Sequence, residues 1–249
     1  MFSLCIPTMN RFDQFLSVNL PKYIENQLID EIIISDENGE DIKKIKEAFP
    51  NCNKLKLFVN EKRLGPFLNK MNACQKAKNE WLVLMDSDNF ADTDYFEIVN
   101  NYVSNKNLSK TTILAPCWAK PQFNYSHLSG EIFKKGNFEK IKNIEKNLSK
   151  EYITTLMNTG NYVLNKYIID NLDLTNELNN LLFSHITYNP YDVIYMNTLF
   201  FEQYDTMELH VLENLHYSHI VHNGSVYLQY HSKFRDFYNF IYNRYNKLK

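Results

Sequence analysis

The first ninety residues alternate short β-rich apolar runs with stretches of helical spacing, and this alternation restricts the fold more than any other feature. "FSLCI" (2–6), ended by Pro7, precedes apolar positions Phe12, Phe15, Leu16, Leu20, Ile24 and Leu28 at helical spacing, with Pro21 as the expected kink or break. "EIIIS" (31–35) runs into the turn-forming "DENG", residues 40–48 have a helical pattern, and "KLKLFV" (54–59) is a third strand. A helix over 66–78, with Pro66 near its start, leads to a fourth strand, "WLVLM" (81–85). Strands and helices at this spacing predict βαβ units, hence an α/β fold with a mostly parallel central sheet flanked by helices. Ligands of such sheets gather at the carboxyl ends of the strands, where Thr8, Asp36 and the Asp86/Asp88 pair fall.

The second half is less regular. "TTILAPCWA" (111–119) reads as a strand, 120–150 as a loop with a short solvent-facing helix, and "YVL" (162–164) as a small strand after an Asn-Thr-Gly-Asn turn. Residues 190–204 read as a helix opening at Pro190, "SVYLQY" (225–230) as a late strand or extended segment, and 233–249 as an amphipathic helix. No Gly/Ser linker or repeat interrupts the chain, so 1–249 is expected to be a single domain.

A content of 44% hydrophobic residues supports a sizeable core, and a formal charge of −2 gives no global electrostatic case for a nucleic-acid partner. Cys5, Cys52, Cys74 and Cys117 lack C-x-x-C spacing, which argues for reduced thiols in a cytoplasmic setting rather than a zinc site. The amino-terminal apolar run is too short for a signal-peptide core, and no run approaches about 18 apolar residues. A soluble cytoplasmic product is therefore expected, with peripheral membrane contact through the tail left open.

The strand "WLVLM" drives directly into Asp86-Ser87-Asp88. Carboxylates at strand ends are commonly solvated or cap helices, but such a pair also suits Mg²⁺ or Mn²⁺, which take one or two protein carboxylates together with phosphate oxygens and water. "FSLCIPTMNR", "EIIISDENG" and "GPFLNKMNACQKAKNEWLVLMDSDN", in that order and spacing, resemble the amino-terminal blocks of inverting family 2 glycosyltransferases with the GT-A fold. The resemblance is good over residues 2–90 and loose beyond. It implies a nucleotide-sugar donor, UDP-linked by preference, a Mn²⁺ or Mg²⁺ cofactor, and a glycan or glycoconjugate acceptor. It also implies a nucleotide-binding half (1–90) and an acceptor half (91–232) before the carboxyl-terminal helix.

By that resemblance Pro7, Thr8 and Arg11 surround the nucleotide, and Asp36 accepts a hydrogen bond from the base. An Asx-turn in "SDENG" accounts for Asp36 equally well, and the usual Asp-Asp-Gly-Ser is Asp36-Glu37-Asn38-Gly39 here. Lys70, within Asn69-Lys70-Met71, is the candidate phosphate contact, unless it is an ordinary exposed helix lysine. Asp86 faces the ribose of the donor or the metal, Ser87 faces the donor, Asp88 binds the metal directly, and Asn89 replaces a frequent third acidic residue.

Inversion by single displacement requires a carboxylate to take the acceptor proton. Asp192 in "NPYDVIYMN" is the candidate, against a helix-dipole role in the first turn; Glu177, Glu202 and Asp205 follow it. His222, and after it His219, is expected to complete the metal site, and Gly160 in "MNTGNYV" to line the acceptor loop. Two rival functions are a sugar nucleotidyltransferase, whose glycine-rich phosphate loop is missing before Gly39, and a non-catalytic sugar-binding module.

Overall fold

The computed structural model describes residues 1–137, 156–157, 162–178, 189–230 and 235–248. Among them are strands β1 (Phe2–Thr8), β2 (Ile29–Asp36), β3 (Leu55–Val59), β4 (Trp81–Leu84), β5 (Thr112–Lys120), β6 (Phe123–Asn124), β7 (Ile132–Lys134), β8 (Val163–Asn165) and β9 (Glu208–Ser218). The helices are α1 (Ser17–Glu25), α2 (Glu40–Ala48), α3 (Gly65–Gln75), α4 (Thr93–Asn105), α5 (Lys166–Asp170), α6 (Thr175–Leu178), α7 (Asp192–Gln203), α8 (Val226–Tyr230) and α9 (Arg235–Tyr245).

The main path of the sheet has the order β3-β2-β1-β4-β8-β5-β9-β7, with β6 paired to β5. β3, β2, β1 and β4 are mutually parallel, β8 is antiparallel to both β4 and β5, and β9 is parallel to β5. The two antiparallel steps through β8 cancel, so β9 runs in the direction of β1 and β4. The carboxyl ends of β1, β2, β4 and β9 therefore share one edge, although β9 lies more than a hundred residues beyond β4.

Both faces are covered, and alternate residues divide between them. Leu4, Ile6, Ile32, Ile34 and Val83 pack with Leu20 of α1, Ile42 of α2 and Phe96 of α4. Cys5, Ile33, Leu82 and Leu84 face the other way, toward Phe67 of α3, Leu199 of α7 and Ile241 of α9. The four cysteines are free thiols, three of them buried. No helix among the described residues is long and apolar enough to cross a membrane.

Several elements depart from the sequence reading. Pro21 does not break its helix: a π-helical turn, Phe12–Leu16, precedes α1, which runs through the proline. The carbonyl that Pro21 cannot reach belongs to Ser17, the first residue of α1, so the loss falls at the junction of the two helical segments. Residues 225–230 are helical from Val226, not extended; an alternation only five residues long does not separate the two states, and this segment borders a cleft instead of pairing with a strand. The eleven-residue β9 has no counterpart in the sequence reading, because Glu213-Asn214 interrupts its apolar pattern where Asn214 takes φ 60° and the β5 pairing shifts register.

One ion cluster fixes the last helix. Arg244 of α9 donates from Nη1 and Nη2 to Glu177 at 2.8 and 2.9 Å and from Nε to Glu202 at 2.9 Å, while its guanidinium lies 5.9 Å from the Tyr195 ring. Burial alone would raise the Glu177 pKa, but Arg244 and the Tyr195 hydroxyl hold it below its ordinary value. Arg244→Ala is expected to destabilise the protein by about 2 kcal/mol, toward the low end for a pair that keeps some exposure. Melting should then fall by about 4–8 °C at pH 7. Because a depressed carboxylate stabilises above its unfolded pKa, the gap between wild type and variant should narrow as pH falls below about 4.3. Thermal melts of both proteins from pH 7 to pH 3 check this; a gap independent of pH removes Glu177 from the account.

Candidate active site

A cleft of about 750 Å³ opens at the shared carboxyl edge of the sheet, and Pro7, Thr8, Arg11, Lys70, Asp86, Ser87, Asp88, Asp192 and His219 all line it. Its rear wall is the turn after β1. Asp41, in the first turn of α2, accepts hydrogen bonds from Thr8 Oγ1 at 2.5 Å, Arg11 N at 2.8 Å and Phe12 N at 2.8 Å. A buried carboxylate bonded three times in this way fixes the loop and so the starting point of the Arg11 side chain.

Asp36 is turned away from the cleft. Its Oδ1 accepts from Asn38 N at 3.2 Å and its Oδ2 from Ile42 N at 3.0 Å, so the carboxylate closes the Asx-turn and caps α2. Burial nevertheless raises its pKa, with these N–H groups opposing. Gly39 makes the turn at φ 81°, where an added Cβ would come within 3.2 Å of Val59. The next residue after Asp36, Glu37, lines the cleft instead, and Leu64 N donates to its Oε2 at 2.6 Å. Burial pushes the Glu37 pKa up, against the pull of the Leu64 and Gly65 N–H groups.

Lys70 of α3 is not an exposed helix lysine. It is 5% exposed, and its Nζ lies 2.6 Å from Asp192 Oδ2 and 2.7 Å from Asp86 Oδ1. Burial alone would lower its pKa, but the two carboxylates outweigh this and hold the ammonium well above its ordinary value. Asp86 is raised by burial, with Lys70 opposing and Asp88 and Asp192 reinforcing. The first turn of α7 thus carries Asp192 into the cleft beside the strand-end aspartate.

On the other side of the pair, Asp88 Oδ2 is 2.9 Å from His222 Nε2 and 4.0 Å from Arg11 Nε. Gly224 N donates to His222 Nδ1 at 3.1 Å, which leaves Nε2 as the protonated nitrogen that donates to Asp88. Phe15 packs on the imidazole with centroids 5.0 Å apart, and Arg11 Nη2 donates to Gly224 O at 2.7 Å. A Cβ at Gly224 would meet the His222 ring at 3.1 Å and Arg11 Nη1 at 3.4 Å, so any other residue here would need the imidazole to shift by a few tenths of an ångström. Burial would raise the Asp88 pKa, but the His222 hydrogen bond and Arg11 hold it below the usual carboxylate value.

His219 also reaches the cleft, with its ring 5.4 Å from Phe123 and its pKa lowered by burial. Asn89 is structural: its Oδ1 accepts from Ile220 N at 3.0 Å and ties the segment after β9 to the strand-end turn. Gly160 lies outside the described residues. Glu177 and Glu202 are held by Arg244, and Asp205 pairs with Lys135 at 2.8 Å; none of the three lines the cleft.

Among the described residues, no three His, Cys, Asp or Glu side chains are arranged to hold a metal by themselves. Asp88 and His222 nevertheless stand side by side, a carboxylate oxygen and an imidazole Nε2 2.9 Å apart. With Nε2 deprotonated, they fit a Mg²⁺ or Mn²⁺ that completes its coordination with diphosphate oxygens and water. The sequence reading missed Asp41 and Glu37. The only signal for them is local: a carboxylate in a helix's first turn, and a second acidic residue after the strand-end aspartate.

No curated protein matches the chain in sequence. Among solved structures, Staphylococcus aureus TarS 1-349 in complex with UDP-GlcNAc aligns with a TM-score of 0.64 at 13% identity, over 98% of this chain and 66% of that one. Glucosyl-3-phosphoglycerate synthase from Mycobacterium tuberculosis, in complex with Mg²⁺ and UDP, aligns with a TM-score of 0.53 at 13% identity, over 89% and 72%. The mannosyltransferase PcManGT from Pyrobaculum calidifontis, in complex with GDP-Man and Mn²⁺, gives 0.54 at 12%, over 92% and 59%. The chain spans 59% of a further TarS 1-349 structure and 38% of a longer TarS chain. These likenesses are to the fold, which is the α/β GT-A fold. The glycosyl transferase family 2 model matches residues 3–172, more than half of the sequence, and the chain belongs to that family.

Proposed function

We propose that this chain transfers a sugar, with inversion, from a nucleoside-diphosphate sugar to a hydroxyl of a glycan or glycoconjugate, in a metal-dependent reaction. The observation that carries the reading is the convergence of Arg11, Lys70, Asp86, Asp88 and Asp192 on one cleft at the carboxyl edge of the sheet, with His222 bonded to Asp88. Residues 1–249 act as one catalytic domain.

Asp88 and His222 would hold Mn²⁺ or Mg²⁺, which when bound offsets the charge of the departing diphosphate. Lys70 and Arg11 supply fixed positive charge to the same end of the cleft, where preorganisation makes each cation worth more than in water. Asp192 accepts the proton of the acceptor hydroxyl as that oxygen attacks the anomeric carbon and the bond to the diphosphate oxygen breaks. Attack from the face opposite the leaving group inverts the centre. Glu37, not the helix-capping Asp36, is positioned to read the donor base, and a carboxylate there favours the N3–H of uracil and hence UDP sugars. Metal-dependent release of nucleoside diphosphate from a panel of nucleotide sugars tests the activity as a whole.

Three outcomes follow from the residue roles. Asp88→Ala should lose nearly all turnover together with the Mn²⁺-dependent tightening of UDP binding, measured by calorimetry with and without the ion. His222→Ala should show a smaller loss of the same sign. Unchanged Mn²⁺ dependence in folded Asp88→Ala removes the metal assignment. Asp192→Asn should keep donor affinity while transfer falls by about 10²- to 10⁴-fold, the usual range for general-base catalysis. If instead only the melting temperature drops, Asp192 is a helix-start residue. Glu37→Gln should weaken UDP binding by about tenfold, the scale of one charge-assisted hydrogen bond, with little change in melting. Asp36→Asn should do the reverse, and an equal affinity loss in both variants would refute the assignment to Glu37.

A further inference from the structure

The cleft is chemically divided. Toward the ends of β1 and β4 its lining carries Arg11, Lys70, Asp86 and Asp88, whereas around the start of α7 the described lining residues flanking Asp192, namely Pro190, Tyr191, Val193 and the adjoining Tyr238, carry no charge. A diphosphate needs the charged end, so the neutral end belongs to the other substrate. That step rests on the reading of Asp192 as the residue facing the acceptor.

Two tyrosines shape the neutral end. Tyr191 immediately precedes Asp192 at the start of α7, and its ring lies 4.9 Å from that of Tyr238 on α9, at an interplanar angle of 49°. Tyr238 is backed in turn by Tyr242, stacked at 5.9 Å and 18°. Both Tyr191 and Tyr238 are half-buried where they meet the cleft. Two tilted rings in contact, one of them stacked on a third, form an aromatic border of the cleft, and a phenol has an apolar face with a polar tip. A sugar ring has the complementary surface, with C–H faces and hydroxyl edges; an acyl chain would use the faces alone.

We propose that Tyr191 and Tyr238 form a stacking platform for a neutral pyranose ring of the acceptor, placing one of its hydroxyls at Asp192. Tyr191 and Tyr238 are then residues that select the acceptor, and the carboxyl-terminal helix is part of the site.

The test is saturation-transfer NMR on the full chain with the methyl glycosides of glucose, galactose, mannose and N-acetylglucosamine, none of them charged. At least one should receive saturation on its ring C–H protons. Tyr238→Ala and Tyr191→Ala should each weaken that binding by about tenfold or more, and Tyr238→Phe, which keeps the ring, should stay within about threefold of wild type. UDP affinity in the same variants should not change. Absence of binding by all four glycosides, full binding in Tyr238→Ala, or an octyl glycoside that takes saturation on its alkyl chain instead of its ring would each overturn the proposal. Should Tyr238→Ala fail to fold, Tyr191→Ala carries the same comparison. Glycoside binding that depends on the tyrosines, in a protein that transfers no sugar, would sink the catalytic reading while leaving the platform intact, so the two failures are distinguishable.

Discussion

The amine of Lys70 joins the two halves of the cleft. It projects from α3 and meets one carboxylate that follows β4 and another that opens α7, so three elements distant in sequence share a single buried charge. An ammonium taken out of water costs several kcal/mol unless paired, and two carboxylates brought together repel unless a cation stands between them. Each partner therefore makes the others tolerable. The ammonium is a compact point charge with three donors, so it can be shared between both carboxylates. The floor of the cleft is thus ordered before any ligand arrives, with one ammonium fixed between two carboxylates.

A second tie works from the opposite side and depends on strand direction. Because β9 runs parallel to β5 and β4, the chain leaves it at the edge where Asp88 sits, and four residues after Ser218 suffice to bring His222 to that carboxylate. Had β9 run the other way, those residues would emerge at the amino ends of β1 and β4. The Arg11 to Gly224 hydrogen bond and the Phe15 contact with His222 then hold this segment against the turn after β1, which Asp41 has already immobilised. The cleft is thus closed on one side by an ion cluster and on the other by hydrogen bonds to a glycine that no other residue can replace without displacing its neighbours.

What was legible in the sequence follows from the range of the interactions. β1, β2 and β4 were readable because central strands of a two-faced sheet are largely apolar and end at turn-forming residues, the edge strand β3 because its lysines alternate with leucines, and the strand-end positions of Thr8, Asp86 and Asp88 came with them. Helix α2 was found to the residue, since its period and its flanking Gly39 agree. The contact between Lys70 and Asp192 spans 122 residues and leaves no local trace, so Lys70 read equally well as a surface side chain. β9 was hidden by the break at Asn214, and α8 by an apolar alternation too short to distinguish helix from strand. Asp36 shows the limit most directly. Its two readings, base contact and Asx-turn, predict the same residue at the same place, and only the Asn38 and Ile42 N–H groups decide where the carboxylate points.

The family match ends at residue 172, while Asp192 and Tyr238, on the proposed acceptor side, lie beyond it, as does His222 beside Asp88. This division has a physical reason. Binding a nucleoside diphosphate asks the same of any chain, namely cations and carboxylates at strand ends, and a sheet edge supplies them with little freedom to vary. An acceptor has no fixed chemistry, and its recognition falls to elements that can change without disturbing the sheet. Here those are α7 and α9, which touch each other through Tyr191 and Tyr238 at the cleft and through Arg244, Glu202 and Tyr195 behind it. The same helix pair therefore carries both the proposed proton acceptor and the proposed acceptor platform. A change in the packing of α9 would move the proposed platform relative to Asp192, yet the proposed diphosphate end, built mainly on β1, β4 and α3, would keep its geometry.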